Sequence, residues 1–172
     1  MSQLMEAEAA SPQRGEAAPA LIVRNLTTEI VLPEGTSRAV NSLSFQINAG
    51  ETLCIVGESG SGKSVSMLAV MGLLPPSATV RADRMAFNGI DLLGLDAARC
   101  RRIVGKDISM IFQEPIASLN PCFTVGFQIE EVLRVHMGVD RARRRARAIE
   151  LVSLVGIAEP GERLGSFPHQ IS

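Results

Sequence analysis

The sequence predicts an α/β fold in which a strand, a glycine-rich loop and a helix follow one another, and three observations support this prediction. Gly57 to Ser64 read Gly-Glu-Ser-Gly-Ser-Gly-Lys-Ser, which fits the P-loop pattern G-x-x-x-x-G-K-[ST]. The preceding run, Thr52-Leu53-Cys54-Ile55-Val56, is apolar and short, as in a buried strand. The following residues 65–71 are mostly apolar and free of proline, as in a packed helix.

The glycine-rich loop carries the groups that hold a nucleoside triphosphate. Its glycines let the backbone curl with the N–H groups inward, and the helix N-terminus adds partial positive charge. We expect Lys63 to reach the β- and γ-phosphates and the Ser64 hydroxyl to coordinate Mg²⁺. The alternative is an ordinary Gly/Ser turn, but one of only two lysines in the chain fills this position. The predicted ligands are ATP and Mg²⁺, and the predicted nucleotide-binding residues are Gly57, Glu58, Ser59, Gly60, Ser61, Gly62, Lys63, Ser64 and Val65.

The elements before the loop are predicted in chain order. Leu21 starts the first strand, and residues 33–37, Pro-Glu-Gly-Thr-Ser, form a turn. Apolar residues mostly two apart then predict a half-buried strand over residues 40–47. Residues 48–51 turn the chain toward the P-loop strand.

After the loop, Pro75-Pro76 stops the P-loop helix. Residues 85–87 form a strand that Asn88-Gly89 closes as a hairpin. A short helix over residues 96–104 begins with Asp96 as its N-cap, and residues 108–112 form another buried strand.

The last third of the chain is predicted to be helical. Val125, Ile129, Val132, Leu133 and Met137 fall on one face of an amphipathic helix, and a second helix covers residues 140–155. The predicted domains are therefore a disordered tail over residues 1–20, a β-subdomain and P-loop core over residues 21–112, and a helical subdomain over residues 113–172.

Two further segments resemble functional motifs, but we assign structural roles to both. Residues 92–96, Leu-Leu-Gly-Leu-Asp, resemble a strand that ends in a metal-binding aspartate, but Gly94 and the short run favour a loop and helix cap. The arginine-rich run over residues 141–147 lacks interleaved aromatic residues, so a solvated helix face explains it better than a nucleic-acid site.

Composition excludes several function classes. The net charge of −1 argues against a dedicated nucleic-acid binder. The three cysteines, Cys54, Cys100 and Cys122, are expected to be reduced thiols, and the two histidines form no zinc signature. No apolar run approaches the length of a membrane span, and residues 1–20 contain no export signal.

Residues 111–121, Ile-Phe-Gln-Glu-Pro-Ile-Ala-Ser-Leu-Asn-Pro, add a second motif. Together with the P-loop upstream, this stretch closely resembles the ATP-binding subunits of ABC importers, in the oligopeptide, dipeptide, nickel and glutathione branch. The resemblance extends from about Leu21 to Ser172. It implies an ABC-type P-loop NTPase fold and an ATPase that drives uptake of peptides or similar small solutes.

The resemblance also implies roles and partners. Gln113 matches the Q-loop glutamine, which senses the γ-phosphate and Mg²⁺, and residues 114–137 would face the membrane-spanning permease subunits. The other partners implied are a second ATP-binding subunit, identical or different, and indirectly an extracytoplasmic solute-binding protein, with no nucleic acid. The implied location is the cytoplasmic face of the inner membrane, where the subunit is peripheral.

The sequence departs from the family pattern in three respects. The aromatic residue that stacks on adenine is missing, and Ile30 occupies its expected position. Ile171 and Ser172 match the start of the ABC signature, but the remaining signature, the Walker B aspartate, the catalytic glutamate and the switch histidine are absent from these 172 residues. We therefore expect no catalytic residue and no hydrolysis. The parallel strands beside residues 52–56 are also missing, which predicts marginal stability.

Three alternatives remain open at this point. A small P-loop kinase would need an acceptor site and an arginine-bearing lid, and it would leave residues 113–115 unexplained. A non-catalytic module would dock on a membrane subunit through residues 114–137 without binding nucleotide. An ABC ATPase outside transport, as in DNA repair, would show coiled-coil heptads, which this sequence lacks.

Overall fold

The computed structural model describes residues 19–113 and 118–171. The predicted tail therefore lies outside the described residues, apart from its last two positions, and so do residues 114–117 and Ser172. The described residues divide into two compact units, one that ends at residue 100 and one that begins at residue 101. The predicted domain boundaries stay a prediction.

The first unit is built on a five-stranded antiparallel sheet. Its strands are β1 (Leu21–Leu32), β2 (Gly35–Ile47), β3 (Ala78–Arg81), β4 (Arg84–Phe87) and β5 (Ile90–Asp91). The order is β2-β1-β4-β5, and β3 also pairs with β1. The predicted hairpin at Asn88-Gly89 is confirmed, because β4 turns into β5 there. The predicted turn over residues 33–37 is shorter in the structure, because β1 turns into β2 at Pro33-Glu34 and β2 already begins at Gly35. β3 was not predicted.

Helix α1 (Lys63–Val70) packs its buried side on this sheet. The helix stops at Gly72, whose φ of +64° suits glycine, so it ends before the predicted stop at Pro75-Pro76. The N–H of Leu73 bonds to the carbonyl of Leu68 and that of Gly72 to Ala69, which is a Schellman motif. The buried core of the unit comprises Val23, Leu26, Val40, Leu43, Phe45, Ala69, Val70 and Met85.

The two predicted buried strands of the parallel sheet are not formed in the part of the chain that the structure describes. Residues 52–56 have no strand partner, although Leu53 packs against the core. Residues 108–112 make one isolated bridge, from Ile108 to Val104, and Ile111 is 91% exposed. An apolar run becomes a buried strand only where neighbouring strands satisfy its backbone, and the described residues supply none.

The second unit is helical. Its main elements are α3 (Val125–Met137), α4 (Arg141–Leu154) and α5 (Pro160–Arg163), and α2 (Ala97–Ile103) spans the division between the units. The side chains of Thr124 and Asp140 cap α3 and α4, accepting the N–H of Phe127 at 3.2 Å and of Arg143 at 2.9 Å. The buried core is Leu133, Ala148, Val152 and Leu164. Both predicted helices are confirmed, but Val132 and Met137 of the predicted apolar face are more than half exposed.

A membrane-spanning helix is not found among the helices of the described residues, all of which are too short or too polar.

Candidate nucleotide-binding site

Backbone conformation shapes the loop that leads into α1. Gly60 and Gly62 have φ values of +81° and +90°, which side chains with a Cβ rarely adopt. Gly62 is also buried, and a Cβ placed on it would overlap the carbonyl oxygen of Ala39 on β2. The loop can therefore lie against β2 only because this position is glycine.

The N-terminus of α1 leaves backbone donors unused. The first hydrogen bond of the helix runs from the N–H of Ser66 to the carbonyl of Gly62, at 2.8 Å, so the N–H groups of residues 62–65 precede it. Gly62 is the N-cap residue and supplies no side-chain cap. These N–H groups and the helix dipole form a site suited to an anion.

The Lys63 ammonium lies inside the curve of the loop. It donates to the carbonyl oxygens of Gly57 and Glu58, at 2.6 and 2.7 Å, and to the Ser61 hydroxyl, at 3.2 Å. These three acceptors match the three protons of an ammonium group. Lys63 therefore fixes the shape of the loop and also places a positive charge beside the unused N–H groups.

Ser64 and Ser66 have different environments although both are on α1. Ser66 is fully buried and its hydroxyl donates to the carbonyl of Gly62 at 2.9 Å, so it serves the loop structurally. Ser64 is exposed and makes no side-chain hydrogen bond to the described residues. A hydroxyl next to a phosphate site fits the Mg²⁺ role, because Mg²⁺ takes few protein ligands and keeps several waters. The described residues contain no cluster of three His, Cys, Asp or Glu side chains that could hold a metal.

The other predicted site residues are distributed between the two units. Ile30 is half-buried on β1, opposite Ser37 of β2. Gln113 is exposed and is the last residue of the first described range, residues 19–113. Ile171 is half-buried after a short 3₁₀ turn (Pro168–Gln170), whereas Ser172 lies outside the described residues.

The two structural interpretations of charged segments are confirmed. Asp96 accepts the N–H of Arg99 at 2.8 Å and so caps α2. The arginines of α4 form salt bridges along the surface, such as Arg143 to Asp140 at 3.3 Å and Arg147 to Glu150 at 2.6 Å. Such pairs are typical of a solvated helix face.

Two features of the site were not predicted from sequence. The contact of Gly62 with the Ala39 carbonyl joins positions 23 residues apart, and sequence spacing gives no signal for it. The role of Ser66 could have been inferred, because a serine four residues after the N-cap can bond back to its carbonyl.

Comparisons with known proteins point to one family. The model of a protein family described as ABC transporter matches residues 40–172. The dipeptide transport ATP-binding protein DppD of Escherichia coli is 51% identical over 135 residues, which is 78% of this chain and 41% of that protein. The oligopeptide transport ATP-binding protein OppD of Haemophilus influenzae is 43% identical over 90% of this chain and 47% of its own length. The chain thus spans less than half the length of these relatives.

A solved structure shows the same fold. The dimeric structure of a bacterial ABC transporter cassette superimposes with a TM-score of 0.72 at 25% identity, over 88% of this chain and 63% of that chain. A second structure of that cassette, in a post-hydrolysis state with ADP and Pi, gives a TM-score of 0.70. The loop and helix described above therefore belong to a fold in which a related protein holds a nucleotide.

Proposed function

The chain belongs to the ABC transporter family, and we propose that it binds ATP at residues 57–65 as the ATP-binding subunit of an importer for peptides or similar small solutes. The solute class rests on the relatives, which are named for dipeptide and oligopeptide transport. The observation that carries the proposal is the Lys63 ammonium, held within a curled loop beside the unused N–H groups of a helix N-terminus.

Phosphate binding exchanges hydrogen bonds within this loop. The N–H groups of residues 62–65 donate to phosphate oxygens, and the helix dipole favours the negative charge. The three ammonium protons of Lys63 are already paired with Gly57, Glu58 and Ser61. Contact with a phosphate oxygen therefore replaces at least one of these bonds, which exchanges a neutral acceptor for a charged one.

Mg²⁺ is the expected second ligand. We infer that Ser64 would hold it through its exposed hydroxyl, and that Gln113, the Q-loop glutamine of the family resemblance, would be a further ligand. When bound, the ion neutralises charge between the β- and γ-phosphates.

Coupling to transport is assigned to the stretch after Gln113. Gln113 senses the phosphate end of the nucleotide, and residues 114–137 contact membrane-spanning subunits at the cytoplasmic face of the inner membrane. A second ATP-binding subunit completes the assembly, and an extracytoplasmic binding protein delivers the solute. The dimeric arrangement of the related bacterial cassette supports the pairing of two such subunits.

Equilibrium binding of labelled ATP tests the assignment of the site. We expect Lys63→Ala to weaken ATP binding about 10- to 150-fold, because a hydrogen bond to a charged group contributes about 1.5–3 kcal/mol. The control is Lys106→Ala, which removes the only other lysine, exposed in a turn outside the loop. Equal affinities of wild type and Lys63→Ala would refute the site, and a loss in Lys106→Ala would show that general charge is responsible.

A further inference from the structure

The antiparallel sheet of the first unit has an outer face, opposite to the face that packs on its core and α1. Side chains alternate along a strand, so Val23, which is fully buried, is followed by Arg24, which is exposed on the outer face. Arg84 is the cross-strand partner of Arg24, where β4 pairs with β1, and it is also exposed. The two arginine side chains therefore leave the same face from directly opposite positions, and we call them the arginine pair.

The arginine pair forms no ion pair with a carboxylate of the described residues. Arg24 donates to the side-chain oxygen of Gln46 at 2.7 Å, which is a neutral acceptor. The carboxylate next to Arg84 in sequence, that of Asp83, accepts instead from the side-chain amide of Asn25. Like charges directly opposite each other destabilise a sheet, so an anion between the two arginines would remove this cost.

The other end of the outer face shows how the sheet holds a similar pair of cations. Arg38 donates to Glu29 at 2.9 and 3.1 Å, and Arg81 lies 3.8 Å from the second carboxylate oxygen of Glu29. One carboxylate on β1 thus serves two arginines on neighbouring strands. At the arginine pair β1 itself contributes an arginine, so the corresponding anion would have to come from outside the described part of the sheet.

The chain brings carboxylates to this end of the sheet. The carbonyl of Ala20 accepts the N–H of Asn88 at 2.8 Å, so the chain joins the sheet four residues before Arg24. Residues 1–18, which lie outside the described residues, are called here the leading segment. Its charged side chains are three glutamates and one arginine, namely Glu6, Glu8, Glu16 and Arg14. The leading segment is therefore opposite in charge to the arginine pair.

The length of the leading segment allows it to reach the arginine pair. Arg24 follows Ala20 by four residues, which is about 13 Å by the rise of a strand. Glu16 precedes Ala20 by four residues, so a chain reversal between them can cover the same distance in the opposite direction. A carboxylate on the same chain has a high local concentration, which compensates for the weakness of an exposed ion pair. An anion in solution lacks this advantage.

We propose that the leading segment folds back on the outer face of the sheet, where the Glu16 carboxylate bridges Arg24 and Arg84. The contact lies within one chain and does not depend on the proposed function. It covers the arginine pair, so an anionic partner of this face has to displace the leading segment first.

Arginine-selective modification with phenylglyoxal, measured residue by residue by mass spectrometry, tests the bridge in residues 1–172. We expect Glu16→Gln to speed modification of Arg24 and Arg84 about two- to fivefold, the factor that corresponds to an exposed ion pair. Arg141 is the internal reference, because it is exposed on α4 and forms no ion pair with the described residues. Its rate should not change.

Glu34→Gln is the matched control, because it removes the same charge from an exposed glutamate in the turn at the far end of β1. Its rates at Arg24 and Arg84 should match those of wild type. Unchanged rates in Glu16→Gln would overturn the inference, and so would equal acceleration in Glu34→Gln.

Two further measurements distinguish the leading segment from other anions. If dilution of wild type abolishes the protection of the arginine pair, the anion belongs to a second copy and the inference is overturned. If Glu16→Gln changes nothing while vesicles with phosphatidylserine slow the modification, the face binds an anionic membrane surface and the inference is again overturned. Protection that persists on dilution and is lost in Glu16→Gln supports the bridge. ATP affinity in Glu16→Gln should equal that of wild type, so failure of this inference leaves the proposed function standing.

Discussion

Gly62 combines two constraints at one residue, a left-handed backbone and close contact with β2. Its φ is +90°, and an added Cβ would overlap the Ala39 carbonyl oxygen. Gly60 shares the left-handed backbone, with φ of +81°, but has nothing within 4 Å of an added Cβ. Substitutions at these two glycines therefore distinguish the cost of a Cβ in the left-handed backbone from the cost of its overlap with a neighbouring strand.

We predict that Gly60→Ala lowers the free energy of unfolding by about 1–2 kcal/mol, the cost of a Cβ in the left-handed region. Gly62→Ala should lower it by more than that, because the Ala39 backbone must also shift. Urea titration of both variants measures the difference. Equal losses would mean that β2 and the loop do not constrain each other.

The proposed role of Gln113 is distinct from that of the P-loop. We predict that Gln113→Ala leaves ATP affinity within about twofold of wild type, because the P-loop and Lys63 supply most of the contacts. In the assembled transporter the same change should lower transport-coupled ATP hydrolysis. Normal coupled hydrolysis in that variant would contradict the sensing role.

The carboxylate of Asp96 stabilises helix α2 and is assigned no role in the candidate nucleotide-binding site. Asp96 accepts the N–H of Arg99, and Arg99 also lies 3.9 Å from its carboxylate as an exposed ion pair. Asp96 follows a short apolar run because it caps the helix that comes next. In the sequence, the same arrangement resembles a strand that ends in a metal-binding aspartate.

We predict that Asp96→Ala lowers the free energy of unfolding by about 1 kcal/mol and leaves the affinity for MgATP unchanged. Asp96→Asn should restore most of the stability, since asparagine caps helices as well as aspartate does. Thermal unfolding and ATP titration of the two variants measure these effects. A loss of Mg²⁺-dependent ATP binding in Asp96→Asn would reinstate a metal-binding role.

At the scale of the whole molecule, the two units have independent cores. The first is a sheet covered by α1, and the second is a small helical core around Leu164. The P-loop lies in the first unit and Gln113 in the second.

We predict that residues 1–172 by themselves bind MgATP weakly and release phosphate no faster than their own Lys63→Ala variant. We expect weak base stacking, because Ile30 occupies the position where an aromatic residue is expected. Loss of a general base typically costs about 10²–10⁴-fold in rate, and we expect that Glu58, the carboxylate within the loop, does not substitute for the catalytic glutamate of the family. Phosphate release clearly faster in wild type than in Lys63→Ala would show that this chain contains a complete catalytic site.

The sequence determined the local features of this protein. The Gly57 to Ser64 pattern located the candidate site, the Asn88-Gly89 turn located a hairpin, and the cap Asp96 located a helix start. Each of these signals acts within a few residues, through backbone conformation or a side chain that reaches a neighbouring N–H. The family also followed from sequence, because the P-loop and residues 111–121 resemble a family that the family model and the relatives bear out.

Only the tertiary structure decided the features that depend on distant partners. Residues 52–56 and 108–112 have the composition of buried strands, but a strand needs a neighbour to bond its backbone, and composition does not show whether one is present. The contact of Gly62 with Ala39 arises where the fold brings separate segments together. Sequence spacing encodes periodicity along one element, whereas this contact depends on the path of the chain between elements.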